Sequence, residues 1–175
     1  QFKGHTDAVW SLSLQDELRL LASAGADELV LLWKAAAEVS SEEDGDSSEE
    51  RGLALLPPAF PLQALVPPPL LGTGEDAAEF GIPTGVAWAP SNSSGASARL
   101  ICGSRNAGSC CAMDAERGVA VYPARAMGGE AAAVLAIACH RSQDLAVSGH
   151  VDRCARVFSP LTGRQICELS GHGDV

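Results

Sequence analysis

No stretch of the 175 residues approaches the roughly 20 continuous apolar residues of a membrane span, and no basic start leads into an apolar run. A transmembrane segment and an export signal are therefore not expected, and the location read from the sequence is cytoplasmic. Basic residues are scarce: 12 Lys and Arg stand against 22 Asp and Glu, for a net charge of -10. Without a basic face to meet phosphate, nucleic acid is excluded as a partner. No Cys-x-x-Cys pair is present, and the six cysteines (Cys102, Cys110, Cys111, Cys139, Cys154, Cys167) lack zinc-ligand spacing, even with His140 and His150 nearby. They read as reduced thiols in a core, with no metal and no cofactor. The Gly-rich stretches "GSRNAGS" and "GTGED" match neither phosphate-loop pattern and read as turns. No heptad run appears.

The acidity is local. Residues 35–80 hold ten acids and the single base Arg51, so -9 of the -10 belongs to that segment. Its first part, "SSEEDGDSSEER", offers nothing apolar to bury, and its second is broken by Pro57, Pro58, Pro61, Pro67, Pro68 and Pro69. Both parts read as an insertion, with one short outer strand expected at 61–66. Ser40, Ser41 and Ser47 each have an acid three residues on, the pattern that acidophilic kinases favour, which makes them candidate phosphosites.

Outside the insertion the chain repeats. Gly, four residues and Val recur at Gly4 to Val9, Gly81 to Val86 and Gly129 to Val134. From each Val, Trp33 follows after 24 residues, Met113 after 27 and Phe158 after 24. Each unit divides into short apolar strands bounded by turn residues, such as "VWSLSL", "RLLASAG" and "LVLLW" in the first. A Gly-His pair followed by Asp and Val, as in "GHTDAV" and "GHGDV", together with four short strands per unit, resembles the WD-repeat blade. The fold class expected is all-β, a partial WD-repeat β-propeller of about three four-stranded blades. Its divisions are a blade at 1–34, the insertion at 35–80, a degenerate second blade at 81–125, a third blade at 126–170, and the start of a further one at 171–175. Propellers close with at least four blades, so the reading is a segment of a larger ring with open faces at both ends.

The first unit holds a polar relay: Asp27 can accept from His5, His5 can bond Ser23, and Ser23 can reach the Trp33 indole. Ser, His and Asp together also suggest a catalytic triad, but here all three fall at blade positions with a packing role, and no catalytic residue is assigned. In the third unit Ser148 and Asp152 keep the offsets of Ser23 and Asp27, with Glu130 in place of the His and Phe158 in place of the Trp. The second unit offers Ile82, Gly103, Ala107 and Met113 at the four places, so the second and third blades are expected to depend on apolar packing. Trp10 and Trp88 are expected in the core. Asp7, Trp10, Glu28 and Arg153 are the candidate partner contacts.

"GHTDAVWSL", "FGIPTGVAW" and "VSGHVDRCARVFSPLTGRQICELSGHGDV" carry a more specific resemblance. An Ile-Pro-Thr lead-in to a degenerate blade, directly after a complete one, is similar to the C-terminal WD-repeat region of the striatin family. That resemblance implies a non-enzymatic scaffold that assembles protein phosphatase 2A, germinal-centre kinases and MOB-like proteins. It also implies that coiled-coil, calmodulin-binding and caveolin-binding segments, and any membrane association through them, lie outside this chain. A WD-repeat scaffold of another family, or a thiol or zinc enzyme, is the alternative.

Overall fold

The computed structural model describes residues 3–34, 63–67, 80–90, 97–105, 108–126 and 132–173. They form three four-stranded antiparallel sheets, each a meander in chain order. The first comprises β1 (Val9–Gln15), β2 (Leu20–Gly25), β3 (Val30–Lys34) and β4 (Gln63–Leu65). The second comprises β5 (Pro83–Trp88), β6 (Arg99–Ser104), β7 (Ser109–Asp114) and β8 (Val119–Ala126). The third comprises β9 (Val134–Cys139), β10 (Ala146–His150), β11 (Cys154–Phe158) and β12 (Gln165–Ser170). The fold is all-β and consistent with blades of a partial propeller.

Turn chemistry sets the strand lengths. At the β2–β3 turn Glu28 takes φ 66° and donates its amide to the Gly25 carbonyl at 3.3 Å, while the Asp27 carboxylate accepts from the Leu29 amide at 3.4 Å. The β10–β11 turn repeats this with Arg153 at φ 67°, its amide on the His150 carbonyl at 3.2 Å, and Asp152 accepting from the Cys154 amide at 3.1 Å. An aspartate that captures the amide two residues on stabilises a tight reversal whose next residue must be left-handed.

The second sheet lies between the other two, and the inner strands tie the stack together. The Val86 amide donates to Ser11 Oγ at 3.2 Å, and the Trp88 indole donates to the Ser13 carbonyl at 3.0 Å. On the other side the Thr84 hydroxyl donates to the Val134 carbonyl at 2.5 Å. Gly85 lets the inner strands approach there: a Cβ would stand 3.2 Å from the Ile137 amide nitrogen. One core fills the space between the first and second sheets, with Val30, Leu32 and Leu65 against Val86, Leu100 and Met113. Another, between the second and third, joins Ile101, Cys110 and Tyr122 to Val134, Ala146 and Phe158. Each such fully buried aliphatic or aromatic side chain contributes about 1.5–3 kcal/mol.

Strand pairing corrects the expected alignment of the repeats. Leu12, Ser23 and Leu31 form one cross-strand row of the first sheet, and Ile137, Ser148 and Arg156 the matching row of the third, as a shared Gly-to-Val frame requires. The corresponding row of the second sheet is Val86, Cys102 and Cys111, so Cys102 and not Gly103 stands where Ser23 does. Pro83 pairs as Val9 and Val134 do but follows its glycine three residues sooner, and Cys102 and Cys111 stand one residue further apart than Ser23 and Leu31, which together shift that sheet against the frame. Met113 nonetheless pairs with Leu100 as Trp33 does with Leu21.

Candidate functional site

The polar residues singled out in the first unit come together on one face of the first sheet. His5 reaches in from the loop before β1: its Nδ1 lies 2.9 and 3.0 Å from the two Asp27 oxygens, and its Nε2 lies 2.7 Å from Ser23 Oγ. The Trp33 indole donates to the same Ser23 oxygen at 2.8 Å. A carboxylate only accepts, so Nδ1 carries a proton; with His5 neutral, the Ser23 hydroxyl donates to Nε2 while its oxygen accepts from Trp33. Asp27 also accepts from the Thr6 amide at 2.9 Å, which pins the loop to the turn. Burial alone would raise its pKa, but the bonds from Thr6 and His5 outweigh that and hold the carboxyl below the ordinary carboxylate value.

These distances are those of a Ser-His-Asp triad, and the chemistry is not. A nucleophile must meet a substrate, yet Ser23 is 2% exposed and its oxygen is engaged by both Trp33 and His5. The cavity of about 500 Å³ beside β1 lies at the other ends of the inner strands, among Leu14, Asp16, Glu17, Trp88, Ile137 and Arg141. The relay holds a loop to a sheet.

In the third sheet the imidazole comes from elsewhere. His150 occupies the position that Gly25 has in the first sheet, two residues after the serine, and its Nε2 lies 2.8 Å from Ser148 Oγ. Its Nδ1 donates to the Ala132 carbonyl at 2.8 Å, so Nε2 is the acceptor and the Ser148 hydroxyl the donor. Burial lowers the His150 pKa and the nearby Arg156 charge adds to that, against the Ala132 bond and the charges of Asp152 and Glu168. Gly25 shows why the two arrangements exclude each other: a Cβ there would stand 2.5 Å from Asp27 Oδ1 and closer still to His5 Nδ1.

Asp152, freed of an imidazole, holds a guanidinium. Arg156 is 3% exposed and donates to the two Asp152 oxygens at 3.2 and 2.5 Å, with its Nε 3.2 Å from Glu168 Oε2. The Arg156 hydrogen bond holds Asp152 below the ordinary carboxylate range. The third sheet therefore contains a buried polar cluster built on Ser148 and Asp152, larger than the partial relay expected of it. Sequence reasoning missed His150, Arg156 and Glu168. The available signal was Ser148-x-His150, since residues two apart on a strand share a face.

The candidate contacts fall at one end of the sheets. Asp7 and Glu28 are both exposed, and the Ala26 amide joins their loops through the Ala8 carbonyl at 2.7 Å. Arg153, also exposed, occupies the matching turn of the third sheet. Trp10 is 51% exposed on β1, which corrects its expected place in the core, whereas Trp88 is 8% exposed and packs in the first core. Ser40, Ser41, Ser47 and Glu130 lie outside the described residues. Cys102, Cys110 and Cys111 are buried and Cys167 is exposed, all as free thiols. Desolvation pushes the Cys110 and Cys139 thiols up to about 12, which makes them inert as ligands or nucleophiles. No group of three or more metal-ligating side chains occurs among the described residues, and no helix among them is long and apolar enough to cross a membrane.

The WD domain, G-beta repeat family matches residues 1–34, the stretch that contains the complete relay. Mouse striatin-4 is 28% identical over 173 residues, and human striatin-4 is 27% identical over the same length. Both alignments cover 98% of this chain. The chain is a WD-repeat segment distantly related to striatin. It spans 18% of the mouse protein and 19% of the human one. The likeness to striatin-4 runs through the sheet that lost the relay and the sheet that rebuilt it, well past the one repeat that the WD family matches.

Proposed function

We propose that this striatin-related segment is a non-enzymatic protein-interaction scaffold, the WD-repeat part of a regulatory subunit that joins protein phosphatase 2A to germinal-centre kinases and MOB-like proteins in the cytoplasm. The observation that carries the reading is the relation to striatin-4 over 98% of the chain. The geometry supports it: the buried His, Ser and Asp side chains are spent on fixing loops and turns, which leaves the exposed turn residues to meet partners. Asp7, Trp10, Glu28 and Arg153 are the contact residues in this reading, held on backbone that tight turns make rigid.

Affinity capture of the endogenous protein that carries this sequence tests the proposal. Recovery of phosphatase 2A with MOB-like proteins and kinases is the expected result, and their absence from captures that retain other partners refutes it. Glu28→Lys with Arg153→Glu should reduce recovery of at least one partner while leaving the far-ultraviolet circular dichroism unchanged. An unchanged partner set would remove those two residues from the contact surface.

A further inference from the structure

The β9–β10 turn is held by an imidazole. The His140 amide donates to the Leu145 carbonyl at 2.8 Å, and its Nδ1 accepts from the amides of Ser142 at 3.2 Å and Gln143 at 3.0 Å. An amide N–H only donates, so Nδ1 carries no proton and the ring hydrogen is on Nε2. The β7–β8 turn of the second sheet makes the same two bonds with a carboxylate. There Asp114 Oδ1 accepts from the Glu116 amide at 3.0 Å and the Arg117 amide at 2.9 Å, again two and three residues on. The two acceptors part company in acid. Against the raising effect of burial, the Ser97 hydrogen bond and the amides of Arg117 and Glu116 hold the Asp114 carboxyl below its ordinary value, so it stays an acceptor in mild acid. Imidazole is the side chain that changes charge between about pH 5 and 8, and once Nδ1 is protonated it can accept nothing.

The clipped turn carries two groups that act elsewhere. Asp144 accepts from the Ser159 hydroxyl at 2.6 Å and the Leu161 amide at 3.0 Å, which ties this turn to the one between β11 and β12. Arg141 lines the cavity of about 500 Å³ beside β1 and is the one cation among the described residues that do so. The charged and titratable groups on the elements that meet here are Arg141 and Asp144 on the turn itself, Asp16 and Glu17 on the far side of the cavity, and Arg164 on the β11–β12 turn. Cys139 is neutral, since burial pushes its thiol up to about 12.

We infer that His140 is a proton-operated clip. Neutral, it closes the β9–β10 turn, holds Arg141 at the cavity and presents Asp144 to the β11–β12 turn. Protonated, it releases the Ser142 and Gln143 amides, and both turns loosen together. The bonds that carry this lie within the third sheet and its own turns, so the inference depends neither on what packs against that sheet nor on the relation to striatin.

Amide hydrogen exchange of the chain, read residue by residue by nuclear magnetic resonance and corrected for the intrinsic rate at each pH, tests the clip. Between about pH 8 and about pH 5.5, protection at Ser142 and Gln143 should fall by about tenfold or more, the factor that two lost amide bonds imply, and Leu161 should follow. His140→Asn supplies an acceptor that does not titrate, as Asp114 does in its own turn, and should keep these amides protected at both values. His140→Ala should leave them open at both. His150 is intact in all three proteins, so any loss that comes through it is common to them. Protection that does not change in the parent chain, a fall in His140→Asn equal to the parent's, or protection retained in His140→Ala overturns the proposal. A Leu161 amide that keeps its protection while Ser142 loses its own overturns the coupling between the two turns.

Discussion

Gly25→Ala and Gly149→Ala are the same chemical change on two matching strands, and the structure assigns them opposite signs. A Cβ on Gly25 would stand 2.5 Å from Asp27 Oδ1 and closer to His5 Nδ1, whereas a Cβ on Gly149 meets nothing within 4 Å. Overpacking costs about 1–3 kcal/mol, and a displaced imidazole also forfeits its bond to a charged partner, a further loss of about 1.5–3 kcal/mol. Gly25→Ala should therefore destabilise by roughly 2.5–6 kcal/mol. Gly149→Ala should be neutral or stabilise by up to about 1 kcal/mol, because alanine restricts the unfolded chain and the native backbone there is not left-handed.

Urea unfolding followed by tryptophan fluorescence measures both, since Trp33 and Trp88 are buried in the folded chain. The decisive step is a cycle with His5→Ala. If the imidazole is what excludes a side chain at position 25, its removal should lower the cost of Gly25→Ala by at least about 1 kcal/mol. Strict additivity, or a loss at Gly25 below about 0.5 kcal/mol, would refute the claim that the space at Gly25 is reserved for His5.

Four other outcomes can be measured. The His150 pKa is depressed in the folded chain, so the unfolded state takes up its proton first: stability should fall as pH drops below about 6.5, level off below the folded value, and lose this step in His150→Asn. Asp27, Asp114 and Asp152 are also depressed, so what they contribute is complete above the ordinary carboxylate pKa near 4 and is lost as pH falls through their folded values; a midpoint unchanged from pH 8 to pH 3 contradicts both. Thiol labelling of the native chain, read by mass spectrometry, should mark Cys167 first and reach Cys102, Cys110 and Cys111 only on unfolding; equal rates would show that the second sheet is not packed. Deleting residues 35–60 separates a charge switch from a solvated linker: loss of one basic partner, regained in the intact loop with Glu at Ser40, Ser41 and Ser47, supports the switch, and an unchanged partner set refutes it.

The strands were readable because short apolar runs sat between turn residues. "VWSLSL", "RLLASAG" and "LVLLW" match β1, β2 and β3 to within one residue at either end. Register was less readable, because it depends on bulges and turn lengths that leave little trace in composition. Pro83 pairs where Val9 does, which puts Val86 at the place of Leu12, and one extra residue between Cys102 and Cys111 puts Cys102 at that of Ser23. Trp10 misled for a different reason: an aromatic on a strand packs only where a second sheet covers it, and 51% of Trp10 is open.

The imidazole of the third sheet was missed because the repeat was read as a list of positions and not as a set of bonds. A template that expects His before the inner strand finds Glu130 and concludes that the relay is lost. The physical requirement is only that an imidazole nitrogen reach the serine oxygen, and strand geometry meets it from two sites: the loop that leads into the inner strand, or the residue two beyond the serine on the same face. Gly25 keeps that second site empty while His5 fills the first. Once His150 fills the second, the turn aspartate has no imidazole to hold, and a basic residue can take the place of Leu31: Arg156 stands there, bound to Asp152. With the aspartate common to both sheets, the residue two beyond the serine and the residue at the place of Leu31 form one linked choice. Placing Arg at position 31 while His5 still occupies Asp27 should therefore leave the guanidinium buried without its carboxylate, and cost several kcal/mol more than the same change made with His5→Ala and Gly25→His.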